Sequence, residues 1–284
     1  MLDLSIITVT WNGEGEIGRQ IKSVILGCQN ISFEQIVIDN GSKDKTVGII
    51  EKEFPQVKLI KNNTNAGFGY SNNQGAKIST GEFLLFLNPD MQVEPGSLDK
   101  MVEWMRQHPD VGLASCKLVD EHNNFNDNAR PRRFPKIWEM VALIFKIPHL
   151  FPQILDNYYM KDFDPEKEQE VPSVRGSFMM MRREVYEKFG WAFDPRYFIW
   201  FEDVDICREV WKAGYKVIYT PIISCVDYIG QSFKKRDTYW KQKNFIKSML
   251  QYFQKWEPWY KWMWIAIARP FGLVVAKIND LFKK

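Results

Sequence analysis

Two short acidic sequences, each beside an apolar run, are the residues of this chain best suited to chemistry. Asn88-Pro89-Asp90 follows the apolar residues 83–87, and Glu202-Asp203-Val204-Asp205 follows the aromatic-rich residues 198–201. A carboxylate next to a buried strand is costly unless it binds a cation or exchanges protons. We therefore interpret the first sequence as a metal- and diphosphate-binding site and the second as the source of a general base.

Each of these sequences also has a purely structural interpretation. The Asp90 carboxylate offers the oxygen ligands that Mg²⁺ or Mn²⁺ prefers, but Asn-Pro-Asp is also a good turn former. Three close carboxylates repel one another, so we expect the pKa of at least one of them to rise, as suits a base. Acidic residues also favour a helix N-terminus. Asp205 fits that structural role best, and Asp203 is our candidate base.

Two further polar segments are candidates for holding a nucleoside. Asp39-Asn40-Gly41-Ser42 ends a predicted strand, where the Asp39 carboxylate can accept a hydrogen bond from a base N–H or from ribose hydroxyls. Its alternative role is a turn with a helix cap. Residues 62–69 are rich in amides and glycine, which lets the backbone approach a ligand, although such segments are more often simple loops.

Residues 13–18 match the dinucleotide-binding pattern G-x-G-x-x-G, and Asp39 ends the next strand as that pattern requires. Trp11-Asn12 separates the first strand from the first glycine, and Glu14 and Glu16 would place negative charge beside a pyrophosphate. We therefore favour a glycine-containing loop at a helix start over a dehydrogenase site.

The composition of the 284 residues is typical of a soluble globular protein, since 45% are hydrophobic and 26% are charged. Cys28, Cys116, Cys207 and Cys225 form no C-x-x-C pair, so we expect neither a zinc site nor a disulfide framework, and we expect reduced, cytosolic thiols. No basic region precedes an apolar stretch in residues 1–4, so we expect no signal peptide there.

Strand and helix patterns alternate over residues 4–119, which predicts an α/β fold with a mostly parallel central sheet flanked by helices. Ligands bind such sheets beyond the carboxyl ends of the strands. Asp39 and Asp90 fall at such ends, so we expect them to face one crevice. Residues 120–172 break the alternation and are interpreted as an insertion or lid within a catalytic domain of residues 1–233.

Residues 234–284 are predicted to form an amphipathic helical appendage. They carry twelve Lys or Arg against three Asp or Glu, and five of the eleven tryptophans. Arg269-Pro270 interrupts the apolar stretch, which is too short to span a bilayer. We expect an in-plane helix on an anionic membrane surface. The alternative to membrane binding is a helix packed on the core or on a second subunit. We expect no nucleic-acid partner, because the basic charge is the only feature that favours one.

Taken together and in order, several sequences resemble the inverting glycosyltransferases of family 2, which implies the GT-A fold. The resemblance covers about residues 4–245. Residues 65–69 and 87–90 look most like the rhamnosyltransferase branch, which typically uses dTDP-L-rhamnose. The matching sequences are Ile7-Thr8-Val9-Thr10-Trp11-Asn12, Val37-Ile38-Asp39-Asn40-Gly41-Ser42, Asn65-Ala66-Gly67-Phe68-Gly69, Leu87-Asn88-Pro89-Asp90, Arg175-Gly176-Ser177-Phe178 and Phe201-Glu202-Asp203-Val204-Asp205.

The resemblance also implies roles for individual residues. Asp90 is the second acid of the family's D-x-D motif and binds Mg²⁺ or Mn²⁺, and Asn88 stands where many members have the first Asp. Asp203 is the base. The acceptor side is formed by Arg175, Gly176 and Glu202. The donor nucleotide is held by Thr8, Thr10, Asn12, Asp39, Asn65, Gly67, Asn88 and Asp90.

One position departs from the family pattern. Members often have His in an H-x-x-G-x-S sequence after the last core strand, and that His can ligate the metal. Here the sequence is Asp227-Tyr228-Ile229-Gly230-Gln231-Ser232. Asp227 can still bind a hard cation. Either the metal preference is altered, with Asp227 as a ligand, or Asp90 alone holds the metal.

The resemblance implies an enzyme that moves a single sugar, L-rhamnose from dTDP-rhamnose, onto a saccharide acceptor carried on polyprenyl diphosphate in cell-surface polysaccharide synthesis. Such an acceptor implies a cytoplasmic protein that is peripheral on the inner face of the cell membrane. The basic residues 130–136 then contact that membrane or an acceptor phosphate. Two alternatives stay open: a UDP- or GDP-sugar donor, or a non-catalytic sugar-nucleotide-binding membrane scaffold. A homodimer also stays open.

Overall fold

The computed structural model describes residues 1–228 and 237–282, and these residues form one nine-stranded sheet. The strand order is β3-β2-β1-β4-β8-β6-β9-β5, with β7 beside β9. The strands are β1 (Leu2–Thr10), β2 (Phe33–Asp39), β3 (Lys58–Lys61), β4 (Gly81–Leu87), β5 (Met91–Val93), β6 (Val111–Val119), β7 (Gln169–Glu170), β8 (Phe178–Arg182) and β9 (Lys216–Asp227).

Most of the sheet is parallel, as predicted. Strands β1, β2, β3, β4, β6 and β9 run in one direction, whereas β5, β7 and β8 run against them. The antiparallel strand β8, between β4 and β6, is not evident from the sequence. It matters for the site, because the residues that enter β8 lie at the carboxyl end of β4, where the Asn88 N–H donates to the Ser177 carbonyl oxygen at 3.0 Å.

Helices cover both faces of the sheet. On one face α1 and α4 bury Val24 and Leu98 against Phe83 and Leu85 of β4, and on the other α3 and α7 pack against Leu84 and Phe86. This alternation along β4 follows from the two-residue period of a strand. The helices are α1 (Ile17–Gly27), α2 (Thr46–Glu53), α3 (Phe68–Ile78), α4 (Ser97–Gln107), α5 (Ile137–Ile144), α6 (Arg183–Phe189), α7 (Glu202–Lys212), α8 (Thr238–Trp256) and α9 (Trp259–Phe282).

A separate apolar cluster joins the predicted insertion to the C-terminal helices. Met140 and Ile144 of α5 pack with Ile246 of α8 and with Ile265 and Ala268 of α9. Within the described part of the chain, no helix combines the length and the hydropathy needed to cross a membrane. The insertion and the C-terminal helices thus share one core, while the boundary between residues 1–233 and 234–284 stays a prediction.

Candidate active site

Two adjoining cavities open near the carboxyl ends of β1 and β4. The larger has a volume of about 300 Å³ and the smaller about 150 Å³. Their common wall consists of Phe68, Asn88, Arg175, Ser177 and Ile199. A ligand in one cavity would therefore lie directly beside a ligand in the other.

The predicted site residues divide between these cavities. Those that line the larger cavity are Thr10, Asn65, Gly67, Asn88, Asp90, Arg175 and Asp227. Those that line the smaller are Asn88, Arg175, Gly176, Glu202 and Asp203. Asp90 and Asp203 thus lie in neighbouring cavities rather than in one. Thr8, Asn12 and Asp39 line neither.

Thr8 and Asn12 do not line a cavity and instead hold neighbouring elements in place. Thr8 is fully buried, and its hydroxyl accepts a hydrogen bond from Gln20 Nε2 at 2.9 Å. Asn12 has a φ of 52°, its N–H donates to Ser42 Oγ at 2.8 Å, and its Oδ1 accepts from the Lys43 N–H at 2.8 Å. Asn12 therefore ties the end of β1 to the loop after β2.

Asp39 and Thr10 are neighbours at the ends of β2 and β1, and each has one side-chain oxygen with no hydrogen-bond partner in the described part of the chain. They are paired in the parallel register of the two strands. Asp39 Oδ2 accepts from the backbone N–H groups of Gly41 and Ser42, at 3.1 and 3.0 Å. Asp39 Oδ1 and Thr10 Oγ1 are buried and have no partner among the described residues. Such buried orphan atoms are uncommon and indicate a place that a ligand can complete.

Gly67 allows the amide-rich loop to close against the segment that precedes the acidic helix α7. Its φ of 92° is in the left-handed region, and a Cβ atom there would lie 2.6 Å from the Phe198 carbonyl oxygen. The next residue, Phe68, donates its N–H to that same oxygen at 2.8 Å. Only glycine therefore fits at this point of the wall between loop and helix.

Asp90 and Asp227 come together because β5 pairs with the end of β9. Met91 lies opposite Asp227 in the antiparallel register, and the Tyr228 N–H donates to the Asp90 carbonyl oxygen at 3.1 Å. Asp227 Oδ2 also accepts from Asn126 Nδ2 at 3.1 Å. No group of three His, Cys, Asp or Glu side chains suited to a metal exists within residues 1–228 and 237–282. Residues 229–232 of the sequence that starts at Asp227 lie outside the described residues.

A strained turn aims the first turn of α7 at the smaller cavity. Trp200 and Phe201 have φ values of 65° and 69°, and two consecutive non-glycine residues in this region cost about 1–3 kcal/mol each. Asp203 is 8% exposed. Its Oδ2 accepts from the Gly176 N–H at 3.3 Å and lies 4.0 Å from Arg175 Nη1. These contacts hold the carboxylate at the edge of the cavity.

Burial raises the pKa of two acids of this cluster, Glu202 and Asp205. Burial, with a further contribution from the charge of Asp203, raises the pKa of Glu202 to about 8. Its Oε2 is buried and has no hydrogen-bond partner in the described part of the chain. The expected rise in the pKa of at least one of these acids is thus found at the neighbour of the proposed base, but its first cause is burial, and the repulsion by Asp203 that we expected only adds to it.

Asp205 has the structural role expected of it. It is fully buried on α7 and accepts hydrogen bonds from Lys255 Nζ at 2.6 Å, from Trp256 Nε1 at 2.6 Å and from the Tyr197 hydroxyl at 3.2 Å. These contacts join α7 to the end of α8 and do not involve a cavity.

Several lining residues were missed from the sequence. Phe198 and Trp240 line the larger cavity with ring centroids 6.2 Å apart, and Tyr158 and Phe245 line the smaller. They belong to the insertion, to the segment before α7 and to α8. The aromatic density of residues 198–201 was visible, but its partners are distant in sequence, and no local pattern connects them.

Comparison with known proteins gives the family. The model of glycosyl transferase family 2 matches residues 5–190. The chain is 26% identical over 235 residues, 77% of its length and 73% of the relative's, to N-acetylglucosaminyl-diphospho-decaprenol L-rhamnosyltransferase of Mycobacterium tuberculosis. It is 24% identical over 194 residues, 63% of its length and 68% of the relative's, to rhamnosyltransferase WbbL of Escherichia coli K12.

The fold also has a solved counterpart. The mannosyltransferase PcManGT from Pyrobaculum calidifontis, solved in complex with GDP-Man and Mn²⁺, superposes with a TM-score of 0.59 at 19% identity, over 98% of this chain and 75% of that one. This likeness confirms the expected GT-A fold. The chain belongs to glycosyltransferase family 2, in the branch whose relatives include rhamnosyltransferases.

Proposed function

We propose that this protein is an inverting glycosyltransferase that moves L-rhamnose from dTDP-rhamnose onto a saccharide carried on polyprenyl diphosphate. The observation that carries the proposal is the common wall of the two cavities. A sugar nucleotide in the larger cavity and an acceptor hydroxyl in the smaller would meet at this wall, within reach of Asp203.

Asp203 acts as the general base in this proposal. It removes the proton from the acceptor hydroxyl, and that oxygen attacks the anomeric carbon from the side opposite the diphosphate. The bond to the diphosphate breaks and the configuration inverts. A single displacement needs one base and no covalent nucleophile. The Gly176 N–H and Arg175 orient the carboxylate for this step.

The nucleoside lies at the ends of β1 and β2. Asp39 Oδ1 and Thr10 Oγ1 are buried acceptors without partners in the described residues, which suits the N–H of a pyrimidine base or a ribose hydroxyl. Asn65 and Gly67 form the adjacent wall. The larger cavity is thus proposed as the donor site.

The residues around Asp90 fit a divalent cation. Asp90 and Asp227 sit together on paired strands and supply only oxygen ligands, as Mg²⁺ or Mn²⁺ prefers. Two carboxylates leave further coordination positions for phosphate oxygens and water. An ion bound there would offset the charge that develops on the departing diphosphate. The archaeal mannosyltransferase of the same fold was solved with Mn²⁺, which supports this assignment.

The acceptor class is suggested by the mycobacterial relative, whose name describes an N-acetylglucosaminyl-diphospho-decaprenol substrate. An acceptor of this kind carries a saccharide, a diphosphate and a polyprenyl chain. Its saccharide fits the smaller cavity, whose aromatic lining of Tyr158, Trp200 and Phe245 suits the face of a sugar ring. Its chain requires an apolar surface nearby.

An exposed apolar face on α9 and α5 supports a membrane partner. We call this the apolar face: the exposed Trp264, Ile267, Phe271 and Val274 of α9 together with Trp138 and Phe145 of α5. The two helices are joined there by ring contacts of 5.5 Å between Trp138 and Trp264 and of 4.8 Å between Phe145 and Phe271. Exposed patches of this kind mark sites of interaction.

The occupant proposed for the apolar face is the anionic inner leaflet of the cell membrane. The exposed residues of α9 recur every three or four positions and run along the whole helix, as in a helix that lies in the interface plane. The chain from residue 234 onward has a net charge of +9, which favours anionic lipid. The protein is therefore proposed to be cytoplasmic and peripheral, with its acceptor presented from the bilayer.

A transfer assay tests the proposal. We expect product from dTDP-rhamnose and a short-chain N-acetylglucosaminyl diphosphate lipid in the presence of Mg²⁺ or Mn²⁺, and loss of product with a chelator. Thermal-shift measurements with dTDP, UDP and GDP identify the nucleobase of the donor. Stabilisation by UDP or GDP alone would favour the second candidate, a family 2 transferase with another donor. The Pyrobaculum calidifontis structure supports keeping this candidate, because it was solved with GDP-Man.

The same assay distinguishes an enzyme from the remaining alternative, a non-catalytic scaffold that binds sugar nucleotides. A scaffold would bind a nucleotide yet release no nucleoside diphosphate from any sugar donor, with or without acceptor.

A further inference from the structure

Three arginines lie within residues 130–133, and their partners differ. Arg130 Nη2 pairs with Asp127 Oδ1 at 2.5 Å, and Arg133 Nη2 pairs with Asp162 Oδ2 at 2.6 Å. Both ion pairs are on the surface. Arg132, between them, forms no ion pair with a carboxylate in the part of the chain that the structure describes.

Arg132 is half-buried, as Arg130 and Arg133 are, but its Nε atom is enclosed. Its guanidinium carbon lies 5.4 Å and 4.4 Å from the ring centroids of Tyr158 and Tyr159. Its Nη2 donates weakly to the Asn128 carbonyl oxygen at 3.3 Å, and its Nε is buried with no acceptor among the described residues. Burial, together with the positive charge of Arg175, lowers the pKa of Arg132. A buried cation without a counter-charge is costly.

Backbone pairing places Arg132 near Arg175. The Arg132 N–H donates to the Ser173 carbonyl oxygen at 3.0 Å, and the Ser173 N–H donates back at 3.1 Å, which makes an antiparallel bridge. Arg175 lies two residues beyond Ser173, on the same side of an extended chain. Arg175 forms part of the wall between the cavities and has only the 4.0 Å contact with Asp203 as an ion pair within the described residues.

Arg175 therefore contacts one carboxylate, that of Asp203 at 4.0 Å, and Arg132 beside it contacts none within the described residues. We propose that Arg132 and Arg175 bind the diphosphate of the acceptor. Guanidinium groups match phosphate oxygens through paired hydrogen bonds, and a phosphate would supply an acceptor for Arg132 Nε, which has none among the residues that the structure describes.

This inference rests on the proposed function and adds a residue-level site to it. Tyr158, on which Arg132 stacks, lines the smaller cavity with Asp203. Holding the diphosphate beside this cavity fixes the attached saccharide with its hydroxyl near the base. The donor also contains a diphosphate, so the test has to separate the two sources.

The test compares two acceptors that differ only in phosphate: an N-acetylglucosaminyl diphosphate lipid of short chain and the corresponding alkyl N-acetylglucosaminide. Arg132→Gln is expected to raise KM for the diphosphate acceptor about tenfold or more, since a hydrogen bond to a charged group contributes roughly 1.5–3 kcal/mol. KM for the phosphate-free acceptor and for the donor should stay within about twofold of wild type, a change of well under 1 kcal/mol.

Arg133→Gln, which removes the neighbouring surface charge, is the matched control and should behave as wild type. Arg132→Lys keeps the positive charge but lacks the paired N–H donors of the guanidinium group, so its KM for the diphosphate acceptor should lie between those of the wild type and Arg132→Gln.

Four results would overturn the inference. An equal loss with both acceptors would make Arg132 a structural residue, and a rise in the donor KM would assign it to the donor diphosphate. If Arg132→Gln does not fold, two measurements on the wild-type protein still test the inference. Equal use of both acceptors would contradict the site. Failure of inorganic pyrophosphate to compete with the diphosphate acceptor at saturating donor would also contradict it.

The proposed function can fail separately. If no donor gives product with either acceptor, that function is wrong, and calorimetry then tests the anion site alone. Inorganic pyrophosphate without divalent cation should bind the wild type and the Arg133→Gln control alike, and should bind the Arg132→Lys variant more weakly. Equal binding to all three proteins would exclude the site.

Discussion

At the scale of single residues, Glu202 and Asp203 are neighbours with different environments. Glu202 is enclosed, and burial raises its pKa to about 8, so it keeps its proton at neutral pH. Asp203 instead contacts the Gly176 N–H and Arg175. In the proposed mechanism Glu202 would donate a hydrogen bond to the acceptor, and Asp203 would take up the acceptor's proton.

The raised pKa of Glu202 predicts a pH dependence of stability. The folded protein holds this proton up to about pH 8, whereas the unfolded chain releases it near the ordinary value of 4.5. The folded state thus binds more protons between these values, and the free energy of unfolding should fall as pH rises through this window. Glu202→Gln should reduce the fall.

Urea denaturation at several pH values from 5 to 8 measures this effect, roughly over the window where the two states differ in bound protons. Glu184→Gln, a change in an exposed carboxyl group on α6, is the control and should leave the wild-type slope unchanged. Identical slopes for wild type and Glu202→Gln would show that the pKa of Glu202 is not raised by folding.

Residue types and local spacing identified most of the site at this scale. Asp90, Asp203 and Glu202 stand out because acids beside apolar runs are unusual, whereas Asp227 was found only through the family resemblance. All four line the cavities. Arg132 could not be distinguished from Arg130 and Arg133, because its lack of a carboxylate partner is a property of the folded chain alone. Thr8 is on the same side of β1 as Thr10 but one step farther from the strand end, where its hydroxyl is bound by Gln20 of α1, and a motif does not reveal that contact.

At the scale of elements, a strained turn and a buried charge network position helix α7. The turn at Trp200 and Phe201 leads directly into Glu202 and Asp203. Farther along the helix, Lys255 of α8 lies between Asp194 at 3.1 Å, Asp205 at 2.6 Å and Glu209 at 2.9 Å. The network anchors the C-terminal helices to the helix that carries the proposed base.

Removing Lys255 should destabilise the protein strongly. Lys255→Met leaves the fully buried Asp205 and the buried Asp194 without their common cation, and breaking a buried ion pair in this way costs about 3–5 kcal/mol. The measurement is the free energy of unfolding in urea.

Lys261→Met is the matched control, because Lys261 pairs with Glu257 at 2.7 Å on the surface and such pairs contribute about 1 kcal/mol or less. Equal, small losses for the two variants would contradict a structural role for the Lys255 network.

The parallel half of the sheet was predictable, whereas the elements that complete the site were not. Periods of two and of 3.6 residues predict β1, β2, β4 and the helices between them. The continuous apolar sequence of β8 does not reveal its direction, since buried strands of either orientation look alike. Yet the antiparallel course of β8 brings Arg175 and Ser177 to Asn88.

At the scale of the whole molecule, the insertion and the C-terminal helices form one unit with two surfaces. Its inner surface includes Tyr158 and Phe245, which line the smaller cavity. Its outer surface is the apolar face. The sequence predicted an amphipathic tail but not its partner α5, because packing between segments about 120 residues apart leaves no periodic pattern.

The apolar face predicts binding to anionic membranes. The protein should float with vesicles of phosphatidylcholine and phosphatidylglycerol and should bind vesicles of phosphatidylcholine alone less well, since each basic residue near an anionic surface adds about 1 kcal/mol. Ile267→Asp, at a position 58% exposed, should abolish flotation without unfolding the protein.

Leu26→Asp on α1, at a position 55% exposed, is the control and should float as wild type does. A wild-type protein that stays at the bottom of the gradient contradicts the membrane proposal. A dimer in solution that Ile267→Asp dissociates would instead identify a second copy as the occupant of the apolar face.

The central claim is that Asp203 activates the acceptor beside a donor held in the neighbouring cavity, and single-turnover transfer with Asp203→Asn tests it most directly. The variant should lose a factor of about 10² to 10⁴ in the rate of sugar transfer, as expected for a missing general base, while binding the nucleoside diphosphate with the affinity of the wild type. Transfer at the wild-type rate, or loss of nucleotide binding in a folded variant, would contradict the account.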